Sequence, residues 1–282
     1  MSIAHERMNE IVSEVIKSIE RNDTGIFPKS WVGGGLPKNY SSQTPYRGLN
    51  TLTLMMVQEQ REFSSNLWLT FNQIKKIKGA RLLKGSTGTP VFFFNIIEKE
   101  KEREGEVTLE KIPFLKFYYV FNLDQIEGID IGTPKEENVS LHDFVANTGV
   151  VVKKSYDAYY IPDLDYIGIP DLKLFDSAES YASVLLHELA HSTGHPSRLN
   201  RDLSGEFGSD AYAKEECIAE LSSMFLCAHL QIDNEPKKGA SYIKGWLING
   251  LKEEPKFLWK IASESQKVLN YLVALQEHEN AA

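Results

Sequence analysis

The sequence is poor in cysteine and contains no long apolar run. Its two cysteines, Cys217 and Cys227, cannot build the disulfide framework of a small secreted protein. No apolar stretch approaches the roughly 20 residues that a membrane-spanning helix needs, and residues 1–7 lack the pattern of a secretory signal. We therefore expect a cytoplasmic protein without a membrane partner.

Apolar content, in contrast, is ample. Of the 282 residues 42% are hydrophobic, which at this length favours two domains. Charge is unevenly distributed: residues 1–124 carry 17 Lys and Arg against 14 Asp and Glu, and the remainder carries 14 against 25. The resulting net charges of +3 and −11 predict separate partners for the two parts.

The first part has the pattern of an α+β domain. Amphipathic and alternating patterns predict helices at 5–21, 49–63 and 70–77, and paired strands at 91–97 and 115–121 joined by a charged, exposed segment at 98–111. Turn-forming residues predict a long loop at 31–39 and a linker at 132–138. We therefore divide the chain into domains 1–130 and 131–282.

The second part contains an H-E-x-x-H motif, His187-Glu188-Leu189-Ala190-His191. On a helix the two histidines lie on one face, where both can bind one metal ion, and Glu188 is placed to take a proton from an attacking water. The surrounding pattern predicts such a helix, with Ser177 as its N-cap and Gly194 as its C-terminal stop. A buried helix with two satisfied histidines is the alternative interpretation.

A catalytic zinc site usually has three protein ligands. The long metzincin motif, H-E-x-x-H-x-x-G-x-x-H, is not matched, because Ser197 stands where its last histidine would be. His195 follows Gly194, beyond the predicted end of the helix.

Acidic residues on a second predicted helix, 210–226, are better candidates for the third ligand. Glu216 and Glu220 are four residues apart and lie close to its apolar stripe, where unpaired charge is costly. The arrangement resembles that of gluzincins, in which a later glutamate completes the site and a second acid one turn on orients a histidine. This resemblance implies that Glu216 is the third ligand and that Glu220 orients a ligating histidine. Glu215 is the rival ligand, and an exposed acidic face is the alternative.

The motif favours hydrolysis of a peptide bond assisted by Zn²⁺, or by another divalent transition metal such as Mn²⁺. We expect residues 159–170 to form an edge strand beside the motif helix, able to hold an extended peptide. Peptide hydrolysis also needs a donor that stabilises the oxyanion formed at the attacked carbonyl, and the candidates are His195, Tyr160 and Tyr212.

A basic stretch in the first part predicts binding of single-stranded DNA. It contains Lys75, Lys76, Lys78, Arg81 and Lys84, with no acid between residues 63 and 97. Cations beside stacking surfaces suit single-stranded nucleic acid. The aromatic residues around this stretch are Trp31, Tyr40, Tyr46, Trp68 and Phe71. A solvated lysine cluster beside core aromatics is the alternative.

Motifs along nearly the whole chain resemble those of the ArdC-type antirestriction proteins of plasmids. The matching segments are Pro45-Tyr46-Arg47-Gly48-Leu49-Asn50, residues 68–73, 84–85 and 120–125, and then 159–167, 187–195, 207–209 and 212–216. The resemblance implies a domain that binds single-stranded DNA, with Arg47 among its contacts, joined to a zincin-like metallopeptidase domain of gluzincin type. It also implies an unidentified protein or peptide substrate.

Two other functions compete with a peptidase. The chain could mask DNA while its metal site is structural or regulatory, because a zincin fold does not itself prove turnover. A metal-dependent nuclease fits less well, because such enzymes usually hold Mg²⁺ with oxygen ligands rather than two histidines.

Overall fold

The computed structural model describes residues 3–21, 35–103, 106–129, 140–235 and 241–276. Its helices are α1 (Ile3–Arg21), α2 (Leu49–Gln60), α3 (Phe71–Lys76), α4 (Leu141–Ala146), α5 (Ala178–Ser192), α6 (Asp210–His229), α7 (Ser241–Glu253) and α8 (Lys256–Ala274). Its strands are β1 (Lys38–Asn39), β2 (Leu67–Thr70), β3 (Arg81–Leu82), β4 (Thr89–Arg103), β5 (Glu106–Asn122), β6 (Ile126–Glu127), β7 (Val151–Lys154), β8 (Tyr159–Ile161) and β9 (Tyr166–Ile169). The predicted mixture of helices and strands is confirmed.

The N-terminal part is built on a sheet with the strand order β1-β2-β5-β4. Strands β4 and β5 pair antiparallel from Thr89 opposite Val120 to Arg103 opposite Glu106. The two strands therefore extend beyond their predicted bounds of 91–97 and 115–121, because backbone pairing continues into the charged segment that was predicted to join them, at 98–103 and 106–111.

Helix α3 begins where the sequence pattern predicts it. The hydroxyl of Thr70 accepts a hydrogen bond from the backbone N–H of Gln73, and the Gln73 side chain accepts one from the N–H of Thr70. This reciprocal pair satisfies donors that the first turn of a helix leaves free. The same Gln73 side chain donates to Asn39 at the end of β1, at 3.0 Å, which ties α3 to the edge of the sheet.

The C-terminal part packs α5 against α6, and α6 against α8. A small sheet of order β7-β9-β8 covers α5, with β8 at its edge. The predicted edge strand at 159–170 is thus two strands, and only Tyr159–Ile161 lies at the edge beside α5. Gly168 of β9 stands opposite Tyr159, and a Cβ there would lie 2.5 Å from the Tyr159 ring.

One hydrophobic core joins the two parts. Ile11 and Val15 of α1 and Leu52 of α2 belong to the same buried cluster as Leu186 of α5 and Leu221 of α6. The predicted boundary at residue 130 lies outside the described residues, as do Trp31 and the linker at 132–138. Within the parts that are described, the N-terminal and C-terminal halves therefore share apolar packing.

No helix among the described residues has both the length and the apolar character needed to cross a bilayer.

Candidate metal centre

Helix α5 presents the two histidines of the motif from a buried position. The hydroxyl of Ser177 accepts a hydrogen bond from the N–H of Ser180 at 2.9 Å, so the predicted N-cap is confirmed. The helix ends at Ser192. Gly194 follows directly after the C-cap Thr193, as predicted, and a Cβ on it would lie 2.7 Å from the side chain of Leu203, so glycine also permits a close approach.

His187, His191 and Glu216 converge on one point. The Nε2 atoms of the two histidines lie 3.1 Å apart. Glu216 of α6 places one oxygen 3.5 Å from Nε2 of His187 and the other 3.3 Å from Nε2 of His191. One ligand atom from each residue lies within 4.8 Å of the others. The position of Glu216 is the one expected of a third ligand.

Two further carboxylates face the opposite side of the imidazole rings. Glu220 lies 3.2 Å from Nδ1 of His187. Glu215 is hydrogen-bonded to Nδ1 of His191 at 3.2 Å. In this structure the rival ligand Glu215 is therefore engaged behind a histidine, as was expected of Glu220.

A buried arginine holds Glu215 in this position. Arg201 donates from Nε to one oxygen of Glu215 at 2.9 Å and from Nη2 to the other at 2.7 Å. It also donates to the hydroxyl of Thr193 at 2.7 Å and to the backbone carbonyl of Ala190 at 2.8 Å. Sequence reasoning missed this residue, because a single arginine in an irregular loop carries no periodic signal.

Charges of opposite sign shift the pKa values of the cluster. Burial lowers the pKa of both histidines, but hydrogen bonds to carboxylates outweigh it and raise the pKa of His187 to about 9 and that of His191 to about 10. Burial raises the pKa of the Glu216 carboxyl, and the two histidines outweigh this and hold it well below its usual range. Without a metal, protons on the histidines balance the acids.

This donor set fits a divalent transition metal. Two imidazole nitrogens and one carboxylate, with a carboxylate behind each ring, form the ligand pattern of a catalytic zinc site. Each Nδ1 faces an acid, which favours the tautomer that leaves Nε2 free to bind.

Glu188 lies beside this cluster, 3% exposed, in the wall of a cleft of about 330 Å³. Tyr160, Tyr212 and the three converging residues line the same cleft. A water or a substrate can therefore reach both Glu188 and the converging nitrogens.

The three oxyanion candidates differ in their positions. Tyr212 lines the cleft, and burial, together with the charge of Glu216, raises the pKa of its hydroxyl to about 12. Tyr160 also lines the cleft, but its hydroxyl donates to Asp165 at 2.8 Å. His195 is not among the residues that line the cleft and pairs with Ser197 at 2.7 Å. Tyr212 is the candidate whose hydroxyl lies next to one of the three converging residues, Glu216.

A second arginine, Arg198, contacts Tyr160, which lines the cleft. Arg198 forms an ion pair with Asp165, donates to the Tyr160 hydroxyl at 3.2 Å and donates to the carbonyl of Ser192 at 2.7 Å. It thus joins the end of α5 to the turn between β8 and β9. No pattern in the sequence indicated this arrangement either.

The basic stretch of the N-terminal part is exposed. Lys75, Lys76, Lys78, Arg81 and Lys84 all face solvent. Lys75 lies over the ring of Phe71, 4.5 Å from its centroid, and this ring is 46% exposed. Arg81 forms an ion pair with Glu127 across the β3–β6 ladder. A cation and an accessible ring therefore stand side by side on α3.

The residues predicted to stack on DNA, and Arg47 beside them, differ in their exposure to solvent. Tyr40 and Tyr46 are half-buried, and Arg47 is exposed. Trp68 is fully buried against Leu54 and Val120. The prediction that Trp68 contacts DNA is thus corrected, because its ring offers no surface to a base.

The sequence analysis missed exposed aromatic residues on β4 and β5. Phe93 of β4 is 50% exposed and Tyr118 of β5 is 42% exposed, and both lie on the sheet face that carries Val91. The run Phe92-Phe93-Phe94 masked the alternation of a strand. Phe93 stands opposite Lys116, which adds a second pairing of an aromatic and a basic residue.

Comparison with known proteins links both parts to described families. Residues 5–121 match the model of the N-terminal domain of the anti-restriction factor ArdC. Residues 139–264 match a zincin-like metallopeptidase model.

Relatives and solved structures cover nearly the whole chain. A DNA primase TraC of Escherichia coli is 32% identical over 98% of this chain, which spans only 27% of that primase. The uncharacterized protein y4eC of Sinorhizobium fredii is 31% identical over 94% of this chain and 91% of its own length. Crystal structures of the antirestriction protein ArdC from the R388 plasmid are 33% identical. The metal-free form has a TM-score of 0.78 and covers 96% of this chain and 98% of its own; the Mn(II)-bound form has a TM-score of 0.74 and covers 98% of each.

Proposed function

Because this chain belongs to the family of ArdC-type antirestriction proteins, we propose that it binds single-stranded DNA and hydrolyses peptide bonds at a divalent metal site. The observation that carries the peptidase assignment is the convergence of His187, His191 and Glu216 beside buried Glu188 in an open cleft. The Mn(II)-bound relative supports a divalent metal. Zn²⁺ and Mn²⁺ are the two candidates, and the donor set suits both.

The metal, when bound, supplies a Lewis acid that polarises the substrate carbonyl and makes water more acidic. Glu188 accepts the proton of the attacking water and then donates it to the leaving amine. The Tyr212 hydroxyl, held protonated by its raised pKa, donates to the developing oxyanion.

An extended peptide is the substrate form that suits the cleft. Within the described ranges, strand β8 pairs only with β9, and it lies against α5. The backbone groups on the free side of β8 can pair with a peptide that adds to the sheet as a further strand beside the motif helix α5.

Single-stranded DNA is the partner proposed for the N-terminal part. Lys75 over Phe71, with Lys76, Lys78 and Lys84 nearby in sequence, provides cations and one stacking surface. The net charge of −8 opposes binding overall, so we expect modest, salt-sensitive affinity through a local surface.

The decisive test compares the wild type with Glu188→Gln in two assays. Glutamine keeps the shape of the side chain but cannot accept the proton, so peptide hydrolysis should be lost while metal binding remains. Protection of DNA from restriction is measured in parallel. Retained hydrolysis in the variant would contradict the role of Glu188.

The second candidate function is masking of DNA, with a structural or regulatory metal site. The exposed cations and rings of the N-terminal part favour it, since they need no hydrolysis to act. Full protection by Glu188→Gln, in a variant without peptidase activity, would assign antirestriction to masking.

A further inference from the structure

Arg201 joins three elements around the proposed metal site. Its side chain is only 7% exposed. Its guanidinium reaches the Ala190 carbonyl and the Thr193 hydroxyl at the end of α5, and Glu215 on α6. The planar fork of an arginine can satisfy all of these acceptors at once, whereas a lysine amine cannot.

Glu215 and Glu216 are neighbours on α6, and both line the cleft. Only Glu215 has both oxygens bound by Arg201, at 2.9 and 2.7 Å. A carboxylate held in this bidentate way has its charge balanced and its lone pairs engaged, so it is a poor metal ligand. Glu216 keeps both oxygens directed at the Nε2 atoms of the histidines.

We propose that Arg201 is a positioning residue that selects the metal ligands. By holding Glu215 against Nδ1 of His191, it leaves Nε2 of His191 and the carboxylate of Glu216 for the metal. The inference rests on the metal site of the proposed function, and goes beyond it by assigning which acid binds and why. Residues that act behind a ligand in this way typically change metal affinity about 10- to 100-fold.

Arg198 provides a matched control in the same loop. Like Arg201, it donates to a carbonyl at the end of α5 and pairs with a carboxylate. Its carboxylate, Asp165, belongs to the turn before β9 and is not one of the acids that contact His187 or His191. If the arginines act only by anchoring the loop, substitution of either one should weaken metal binding. If Arg201 selects the ligands, only its substitution should do so.

The experiment titrates the full-length, metal-free protein with Co²⁺ and follows the visible absorption of the bound ion. The variants are Arg201→Met, Arg201→Lys, Glu215→Gln, the double variant Arg201→Met with Glu215→Gln, and Arg198→Met. Circular dichroism establishes that each is folded. Neither peptide hydrolysis nor DNA protection enters the measurement.

We expect Arg201→Met to weaken Co²⁺ binding about 10- to 100-fold and to change the absorption spectrum, because released Glu215 then competes with Glu216. Arg201→Lys should recover part of the affinity. In the Glu215→Gln background, Arg201→Met should add less than about threefold, because the two residues act as one unit. Arg198→Met should keep the wild-type affinity and spectrum.

An unchanged affinity and spectrum in Arg201→Met would overturn the inference. An equal loss from Arg201→Met with and without Glu215→Gln would also overturn it, since the arginine would then act only on the loop. If Arg201→Met does not fold, Arg201→Lys decides: wild-type affinity and spectrum in that variant contradict the proposal, and a partial loss of affinity supports it, because a lysine cannot hold both oxygens of Glu215. Failure of the wild type to bind Co²⁺ would instead overturn the metal site itself.

Discussion

The two halves of the molecule keep their charged side chains in opposite surroundings. The cations of the N-terminal basic stretch lie in solvent. The acids and histidines of the C-terminal site are buried or, for His191 and Glu216, half-buried, and each histidine faces carboxylates at defined distances. Exposed charges are screened by water and salt and substitute for one another, whereas a buried charge depends on each of its partners. We therefore expect single substitutions to have large effects in the second half and small, cumulative effects in the first.

The largest effect is expected from Glu216→Ala. Among the described residues, Glu216 is the acid directed at both Nε2 atoms, so its removal should lower the affinity for Mn²⁺ by at least about 100-fold. Isothermal calorimetry on the metal-free protein measures it. The control is Glu179→Ala, which alters an exposed acid at the start of α5. Equal affinities in the two variants would show that Glu216 is not a ligand.

A pH dependence of metal binding comes next. The pKa of His187 is raised to about 9 and that of His191 to about 10, so at pH 7.5 the metal-free site holds at least one proton that a metal must displace. Affinity should therefore rise with pH up to about 10, by about tenfold per unit for each proton released. Calorimetry in buffers of different ionisation enthalpy counts these protons. Binding without proton release would refute the prediction.

The protonated histidines also affect the stability of the metal-free protein. Because their pKa is higher in the folded state, their contribution is complete below the unfolded value near 6.5 and is lost as pH rises through about 9 for His187 and about 10 for His191. Chelation of the metal should thus destabilise the protein more at pH 9 than at pH 7. The melting temperature with and without chelator, at both pH values, checks this.

Substitutions of two neighbouring aromatic residues, Trp68 and Phe71, should distinguish core packing from DNA binding in the N-terminal half. Trp68→Phe should lower the free energy of unfolding by about 1 kcal/mol, because the smaller ring leaves space while the indole N–H that it removes has no hydrogen-bond partner in the described residues. Its affinity for single-stranded DNA should be unchanged. Phe71→Leu should do the reverse, weakening DNA binding severalfold at constant stability. Urea unfolding and fluorescence anisotropy are the two measurements, and a stability loss confined to Phe71→Leu would invert the assignment.

The smallest effect per residue is expected on the exposed lysines. Replacing Lys75 and Lys76 by Gln should weaken binding to single-stranded DNA a few-fold and lower the salt slope by about 0.7 for each phosphate that a lysine no longer neutralises. Lys173→Gln, an exposed site in the C-terminal half, is the control. A slope that stays unchanged would place the DNA elsewhere on the surface.

Local signals in the sequence were sufficient for the helices of the metal site. Ser177 caps α5, and the spacing of His187 and His191 requires only a helix to bring them together. Glu216 needed a resemblance, because 25 positions separate it from His191.

Interactions made by irregular segments could not be predicted. Arg201 and Arg198 lie in a loop without periodicity, and their partners are 14 and 33 positions away. The same holds for Trp68: the sequence shows an aromatic residue near lysines, but the packing of Leu54 and Val120 around it decides that it is buried. Such interactions depend on tertiary packing rather than on local pattern.

The apolar packing that α1 and α2 share with α5 and α6 has an evolutionary consequence. A cut between the halves would expose the inner faces of both, so neither could be exchanged alone without losing part of its interior. Recombination should then move the two halves together. The alignment with the TraC primase, which covers 98% of this chain within a much longer protein, has the extent expected of such a transfer.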